Sequence, residues 1–157
     1  MFHEEQPLSQ ARTRFMTAIP PVAMLLLLIW QVVLGHPWGK NPMSNAALIG
    51  WTIFLWLIYL RLMTIKLVTD VQPGQLTVAM RGLWRTQKIP LDKIKSLTQI
   101  TFDPIADWGG YGIRSTSNGK AYIASGHEGA RIELTDGSIV VIGSQKPGEL
   151  VRAISRK

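Results

Sequence analysis

The chain has 157 residues, a net charge of +7 and no cysteine, and 46% of its residues are hydrophobic. The lack of cysteine excludes disulfides, thiolate metal sites and cysteine nucleophiles from this chain. Two long apolar stretches lie near the N-terminus, and roughly 95 residues remain after them, which is enough for one small domain and too few for a two-domain enzyme.

The apolar stretches are Phe15–Gly35 and Asn41–Leu60, which hold 21 and 20 residues and contain no Asp, Glu, Lys or Arg. A helix needs about 20 residues to cross a hydrocarbon core of about 30 Å. We therefore expect a transmembrane hairpin over residues 15–63, with spans at about 16–35 and 44–63. A signal peptide is the alternative for the first span, but its apolar region is too long and no cleavage pattern follows it. Pro20 and Pro21 either open this helix or kink its first turn.

The basic residues that flank the spans predict their orientation. Arg12 and Arg14 precede the first span, Arg61 and Lys66 follow the second, and the connecting loop has only Lys40. By the positive-inside rule, we expect both termini in the cytoplasm and the loop on the outer side.

The remaining sequence predicts a cytoplasmic segment at residues 1–14 and a cytoplasmic domain at residues 64–157. In the domain, short β-branched runs alternate with Pro-Gly, Asn-Gly and Asp-Gly turn signals, as expected for a chain of antiparallel strands. One helical turn is expected at Leu91–Ile94, and a closing helix capped by Ser144 is expected to bury Leu150, Val151 and Ile154. The predicted strands are Thr64–Val71, Gln75–Arg81, Trp84–Ile89, Ser96–Phe102, Ala121–Ala124, Ala130–Thr135 and Ser138–Ile142, with a further short extended segment at Ile113–Arg114.

Several segments of this domain resemble bacterial pleckstrin-homology-like domains, which are often tethered to paired transmembrane helices. The resemblance covers roughly residues 68–154 and is carried by Ile89–Ile94 (IPLDKI), Trp108–Arg114 (WGGYGIR), Ala121–Gly126 (AYIASG) and Ile142–Pro147 (IGSQKP). It implies two nearly orthogonal antiparallel sheets of about seven strands, closed by the C-terminal helix. The fold class expected is thus an α+β membrane protein, and this fold is a generic scaffold for binding lipids, peptides or proteins.

The candidate binding surface is basic. Arg81, Arg85 and Lys88 flank one predicted turn, where phosphoinositide-binding pleckstrin-homology domains place their phosphate ligands, and Lys93 follows nearby. Arginine and lysine can bind phosphate by charge-assisted hydrogen bonds, although ordinary solvated charge remains the alternative. The other candidate binding residues are Trp108, Tyr111 and Arg114.

Other chemistries receive little support from the sequence. The Trp108–Gly112 loop is rich in glycine, but no predicted helix follows it as a dinucleotide site requires, so a tight structural loop is favoured. Ser125, His127 and Glu128 are neighbours in a predicted turn, and adjacency in sequence does not make a catalytic relay. The three histidines lie far apart, which disfavours a metal site. We expect no catalytic residues, no metal and no cofactor, and hence no enzyme.

These observations predict a non-enzymatic docking module, anchored in a bacterial inner membrane, for a membrane-protein partner, a larger complex or further copies of itself. The alternative is a domain that senses anionic lipid headgroups through its basic residues. Nucleic-acid binding is disfavoured, because the basic residues form no stripe with exposed aromatics.

Overall fold

The computed structural model describes residues 1–8, 11–83 and 85–156, with the backbone alone at residues 11 and 12. Within these ranges the chain is α+β and divides into two compact units. One unit is Ser9–Met63, and the other combines Met1–Leu8 with Thr64–Lys157. The expected boundary at residue 14 is therefore wrong for the first eight residues, which belong to the unit that follows the hairpin.

The first unit is a helical hairpin. Helix α1 covers Ala11–Leu28 and continues as a π-helical turn at Ile29–Val33, and helix α2 covers Asn45–Met63. Two helical segments, Thr13–Val33 and Asn45–Met63, are long and apolar enough to cross a membrane. Pro20 and Pro21 lie well inside α1, so they do not open this helix.

A polar side chain lies buried between the helices of the hairpin. Gln31 donates its side-chain amide to the carbonyl of Met43, at 2.6 Å, and to Oδ1 of Asn45, at 3.1 Å. On α2, Leu48 and Thr52 are buried, and the Thr52 hydroxyl donates to the carbonyl of Leu48. Because these polar groups are hydrogen-bonded, their burial between the helices does not carry the cost of unpaired donors.

The second unit begins with a four-stranded antiparallel sheet in the order β1-β2-β3-β4. Its strands are β1 (Phe2–Pro7), β2 (Lys66–Gln72), β3 (Gln75–Arg81) and β4 (Arg85–Pro90). The sequence predicted the last three with small shifts in their ends, but it did not predict β1. Trp84, the expected first residue of β4, lies outside the described residues.

A 3-10 turn at Leu91–Lys93, where one helical turn was predicted, leads into a five-stranded sheet. Its order is β5-β8-β9-β7-β6, with β7 and β9 parallel, so the expectation of wholly antiparallel strands is wrong at this pair. The described residues contain nine strands, against about seven expected. The five strands are β5 (Ile94–Thr101), β6 (Gly112–Thr116), β7 (Gly119–Ile123), β8 (Glu128–Leu134) and β9 (Ile139–Gly143).

Helix α3 (Pro147–Ser155) closes this unit and packs against β5, β8, β1 and β2. As predicted, it buries Leu150 and Ile154, while Val151 is only partly buried. Ser144 is not the cap that was predicted: Lys146 occupies the capping position, and the Ser144 hydroxyl accepts the backbone N–H of Lys146 at 3.0 Å. Ser144 therefore shapes the turn before the helix.

Candidate functional site

The two faces of the first sheet differ sharply in chemistry. Directly paired residues in an antiparallel sheet point to the same face, and successive residues alternate. The pairing of β2, β3 and β4 therefore separates a buried inner face from an outer face that carries most of the charge. The inner face contains Leu67, Thr69, Val71, Leu76, Val78, Met80 and Ile89, all buried, and the outer face contains Asp70, Lys66, Arg81 and Lys88.

This alternation separates the basic residues that the sequence grouped together. Arg81 lies on the outer face at the end of β3, whereas Arg85 pairs with Met80 and so belongs to the inner face. Lys88 returns to the outer face but pairs with Thr77, four residues before Arg81, or about 13 Å along the strand. Arg81 and Arg85 flank the β3–β4 turn as predicted, but they lie on opposite faces of the sheet, and Lys88 lies farther along β4.

Arg81 already has a partner. Glu5 of β1 accepts hydrogen bonds from Arg81 at 3.2 Å and from Lys66 at 3.3 Å, and His3 lies 3.9 Å from the same carboxylate. These side chains are largely exposed, and exposed ion pairs contribute only about 0–1 kcal/mol each. The Glu5 carboxylate nonetheless neutralises part of the basic charge at this end of the sheet.

Arg85 lies near a tyrosine that links the two sheets. Tyr122 of β7 donates its hydroxyl to Oε1 of Gln87, two residues along β4 from Arg85. Burial raises the pKa of Tyr122, and the positive charge of Arg85 opposes that shift. Arg85 is thus near enough to the contact between β4 and β7 for its charge to act on Tyr122.

Lys93 occupies a separate place. It ends the 3-10 turn, where its carbonyl accepts the backbone N–H of Thr135 at 2.9 Å. The pKa of Asp136 is lowered, chiefly by its hydrogen bonds from the Ser138 hydroxyl and backbone N–H, with a smaller effect from the charge of Lys93. Lys93 therefore belongs to the β8–β9 turn region.

Trp108 and Tyr111 form part of a core. The loop from Asp103 to Tyr111 covers one face of the second sheet, where Trp108, only 7% exposed, joins a cluster with Phe102, Ala121, Ile123 and Val141. Tyr111 is partly buried against the same cluster. Packing in this core is the role that the structure gives to Trp108, in agreement with the tight structural loop that the sequence favoured.

Arg114 supports this loop from β6. A methyl group built on Gly110 would lie 3.0 Å from the guanidinium of Arg114, so the side chain passes directly over the glycine. Gly110 has φ of +124°, a conformation that residues with a side chain rarely adopt. The glycine-rich loop is thus tight, as the sequence predicted, and Arg114 packs along it.

A buried polar network, absent from the sequence prediction, attaches β1 to the second sheet. Gln6, only 1% exposed, donates to the carbonyl of Gly143 at 3.0 Å and accepts the hydroxyl of Ser125 at 2.8 Å. Glu4 accepts the Ser144 hydroxyl at 2.6 Å and the backbone N–H of Gln145 at 2.8 Å. We call Glu4, Gln6, Ser125, Ser144 and Gln145 the strand clasp. Its partners lie more than a hundred residues apart in sequence, so no local pattern could reveal it.

A groove lies at the opposite end of β1 from the hairpin connection. It has a volume of about 490 Å³ and runs between α3 on one side and the start of β1 with the β2–β3 turn on the other. Its exposed apolar residues are Met1 and Pro73, while Phe2, Val71 and Leu91 line it as buried side chains, and its charged rim comes from Glu149, Arg152 and Arg156. Sequence reasoning missed this groove because one wall depends on β1.

No model of a known protein family matches the chain, and no curated protein matches it. Within the described residues, no three His, Cys, Asp or Glu side chains are grouped as a metal site requires. Ser125, which the sequence placed beside His127 and Glu128, has its hydroxyl engaged by Gln6 and Gln145 of the strand clasp. The geometry itself, chiefly the hairpin and the groove, therefore carries the functional argument.

Proposed function

We propose that this protein is a non-enzymatic docking module, anchored in a bacterial inner membrane by its helical hairpin and presenting its groove to a protein partner in the cytoplasm. One observation carries the proposal: an apolar hairpin with exposed side chains is inserted between two adjacent, paired strands of a folded unit. The hairpin supplies the anchor, and the unit supplies a surface for binding.

The exposure of the hairpin supports a membrane environment. Only 11% of the most apolar stretch of each helix is buried, whereas the core helix of a soluble protein would be mostly buried. At about 1.5 Å per residue, the 21 and 19 residues of the two segments extend about 31 and 28 Å, close to the thickness of a hydrocarbon core. Large apolar side chains are exposed along both helices, among them Phe15, Leu26, Val33, Ile53 and Leu57.

The strand pairing supports placing both ends of the hairpin on one side. Pro7, before the hairpin, pairs with Lys66, after it, in adjacent strands of the same sheet. Two crossings satisfy this constraint, and a single crossing does not. Arg14 and Arg61 lie towards the open end of the hairpin, and Lys40 lies in its loop, so the positive-inside rule favours the cytoplasm for the folded unit.

A pleckstrin-homology-like scaffold is part of this proposal. Its support is the order of the elements: a four-stranded meander, a second sheet and a closing helix. On this interpretation the membrane hairpin is an insertion between the first two strands of the scaffold, and the β6–β7 hairpin extends its second sheet. Such scaffolds present binding surfaces without a catalytic site, and fold alone does not choose the ligand.

The groove supplies the docking surface that we propose. Met1 and Pro73 offer exposed apolar contact. On the rim, Arg152 and Arg156 outnumber Glu149. This combination suits a partner segment in which an apolar side chain lies beside carboxylates, because arginine binds carboxylates through paired hydrogen bonds. The groove lies at the Phe2 end of β1, about 17 Å along the strand from Pro7, which favours a cytoplasmic segment over a lipid headgroup as its ligand.

Photo-crosslinking in intact membranes tests this proposal. A photoreactive amino acid at Ala153, in the groove, is compared with the same group at Asn118, exposed in the β6–β7 turn. We expect a discrete protein adduct from position 153 that is weaker in an Arg156→Glu background and absent from position 118. Adducts with further copies of this chain would show that the groove binds another copy and not a distinct partner. Equal adducts at positions 153 and 118 would refute the groove as the docking surface.

A further inference from the structure

The turn between β3 and β4 lies at the hairpin end of the first sheet. β3 runs antiparallel to β2 and ends at Arg81, which pairs with Lys66, the first residue of β2. Only Thr64 and Ile65 separate Lys66 from Met63, the last residue of α2. The β3–β4 turn therefore leaves the sheet at the edge where the chain enters and leaves the hairpin.

This turn is unusually apolar for an exposed segment. Gly82 and Leu83 follow Arg81, and Leu83 is 46% exposed. Outside the hairpin unit, the only other described large apolar side chains with comparable exposure are Met1 and Ile105. The sequence adds an indole at Trp84, whose placement lies outside the described residues. The exposed side chain of Leu83 is unfavourable in water and favourable at a membrane interface.

The residues that flank the turn suit the same environment. Arg81 and Arg85 bracket it and are both exposed. Arginine side chains at an interface keep their charged ends among the phosphates while their stems cover apolar surface. Glu5 neutralises part of the charge at Arg81, so the turn combines an apolar tip with a modest net positive charge. A turn with this combination suits shallow contact with a bilayer surface better than a strongly basic pocket for a single headgroup does.

We infer that the β3–β4 turn inserts Leu83 into the headgroup region of the same membrane that the hairpin crosses. The inference rests on the proposed membrane anchoring and adds a second, shallow contact to it. With the hairpin and the turn both in contact with lipid, the first sheet is held at two points, so its orientation to the membrane surface is restricted.

Single-cysteine reporters test this inference directly, because the natural chain has no cysteine. The full chain is labelled with an environment-sensitive fluorophore after Leu83→Cys, Gln72→Cys or Ile53→Cys substitution. Gln72 is exposed at the opposite end of the same sheet, and Ile53 is 55% exposed in the middle of α2. Each labelled protein is reconstituted into vesicles of phosphatidylcholine and phosphatidylglycerol that carry a nitroxide either at the headgroup or in the middle of the acyl chain.

We expect the label at position 83 to be quenched about twofold or more over the label at position 72 by the headgroup nitroxide, with emission shifted to shorter wavelength. The label at position 53 should be quenched most by the acyl-chain nitroxide. Equal quenching at positions 83 and 72, with strong quenching at 53, would overturn the inference and leave the membrane anchor intact. Loss of quenching at position 53 would refute the anchor itself. Limited proteolysis of each variant before reconstitution establishes that the folded unit is retained.

Discussion

Replacing Gln6 with alanine removes the centre of the strand clasp. The Gln6 side chain is buried and makes two hydrogen bonds, one to the Gly143 carbonyl and one from the Ser125 hydroxyl. Gly143 and Ser125 are themselves buried, so the substitution leaves both with an unmet bond. Removing one partner of a buried hydrogen bond costs about 1–3 kcal/mol, and two such bonds give about 2–4 kcal/mol, since the hydroxyl of Ser125 retains its contact with Gln145.

Amide hydrogen exchange of the full chain, read by mass spectrometry on the peptide that covers β1, measures this loss. Because β1 is an edge strand held by β2 and the clasp, a cost of about 2–4 kcal/mol should speed its exchange about 30- to 1000-fold where local opening limits exchange. Gln72→Ala, an exposed change on β2, is the matched control and should leave β1 protected. If Gln6→Ala and Gln72→Ala gave β1 peptides with the same exchange, the clasp would not hold the strand and the reasoning would be wrong.

Three further outcomes follow from the same structure. Gly129→Ala places a methyl group against the carbonyl oxygen of Ile142, a backbone atom that cannot move aside, so thermal unfolding should show a loss of about 1–3 kcal/mol or a failure to fold. Thr69→Val should stabilise the unit by about 1 kcal/mol in denaturant unfolding, because among the described residues the buried Thr69 hydroxyl has no hydrogen-bond partner; a destabilised variant would reveal a bound water or another unseen partner. Backbone N–H groups lower the pKa of Asp103 from its usual 3.8, so its stabilising effect is complete above that pH and is lost as the pH falls through the lowered pKa; unfolding titrations should show this acid-dependent loss reduced in Asp103→Asn.

The local patterns of the sequence predicted most of the second unit. The strand Gln75–Arg81 was predicted with the bounds that the structure has, because apolar and polar residues alternate along it. Asp136-Gly137 forms part of the β8–β9 turn as expected, and the Asn118-Gly119 signal was displaced by one residue, since Gly119 begins β7. Strand and turn patterns that span only a few residues predict the structure well because they depend on local interactions.

β1 was missed for a physical reason. Its sequence, Phe-His-Glu-Glu-Gln-Pro, contains no β-branched residue, carries two acidic side chains and ends in proline, so its local propensity for a strand is low. What makes it a strand is pairing with β2, more than fifty residues later, and the clasp beyond that. Tertiary contacts here override local preference.

The positions of the candidate binding residues also depend on more than their spacing in the sequence. Arg81 and Arg85 flank the β3–β4 turn as expected, but side chains along a strand alternate between faces, so the two lie on opposite faces of the sheet. Lys88 lies farther along β4, away from the turn. The sequence favoured a tight structural loop at Trp108–Gly112 and also named Trp108 as a candidate binding residue, and the structure buries the indole of Trp108 in a core cluster. The groove could not be found at all, since β1 forms one of its walls.

The pairing of Pro7 with Lys66 also has a consequence for how the protein is made. During synthesis β1 leaves the ribosome first, and its partner strand appears only after both apolar helices have been produced. If the hairpin inserted with a single crossing, β1 and β2 would lie on opposite sides of the bilayer and the sheet could not close. If the hairpin crosses a membrane as we propose, the fold of the second unit acts as a check on insertion, because a wrongly inserted chain exposes the unpaired edge of β2 to the proteases and chaperones that recognise unfinished proteins.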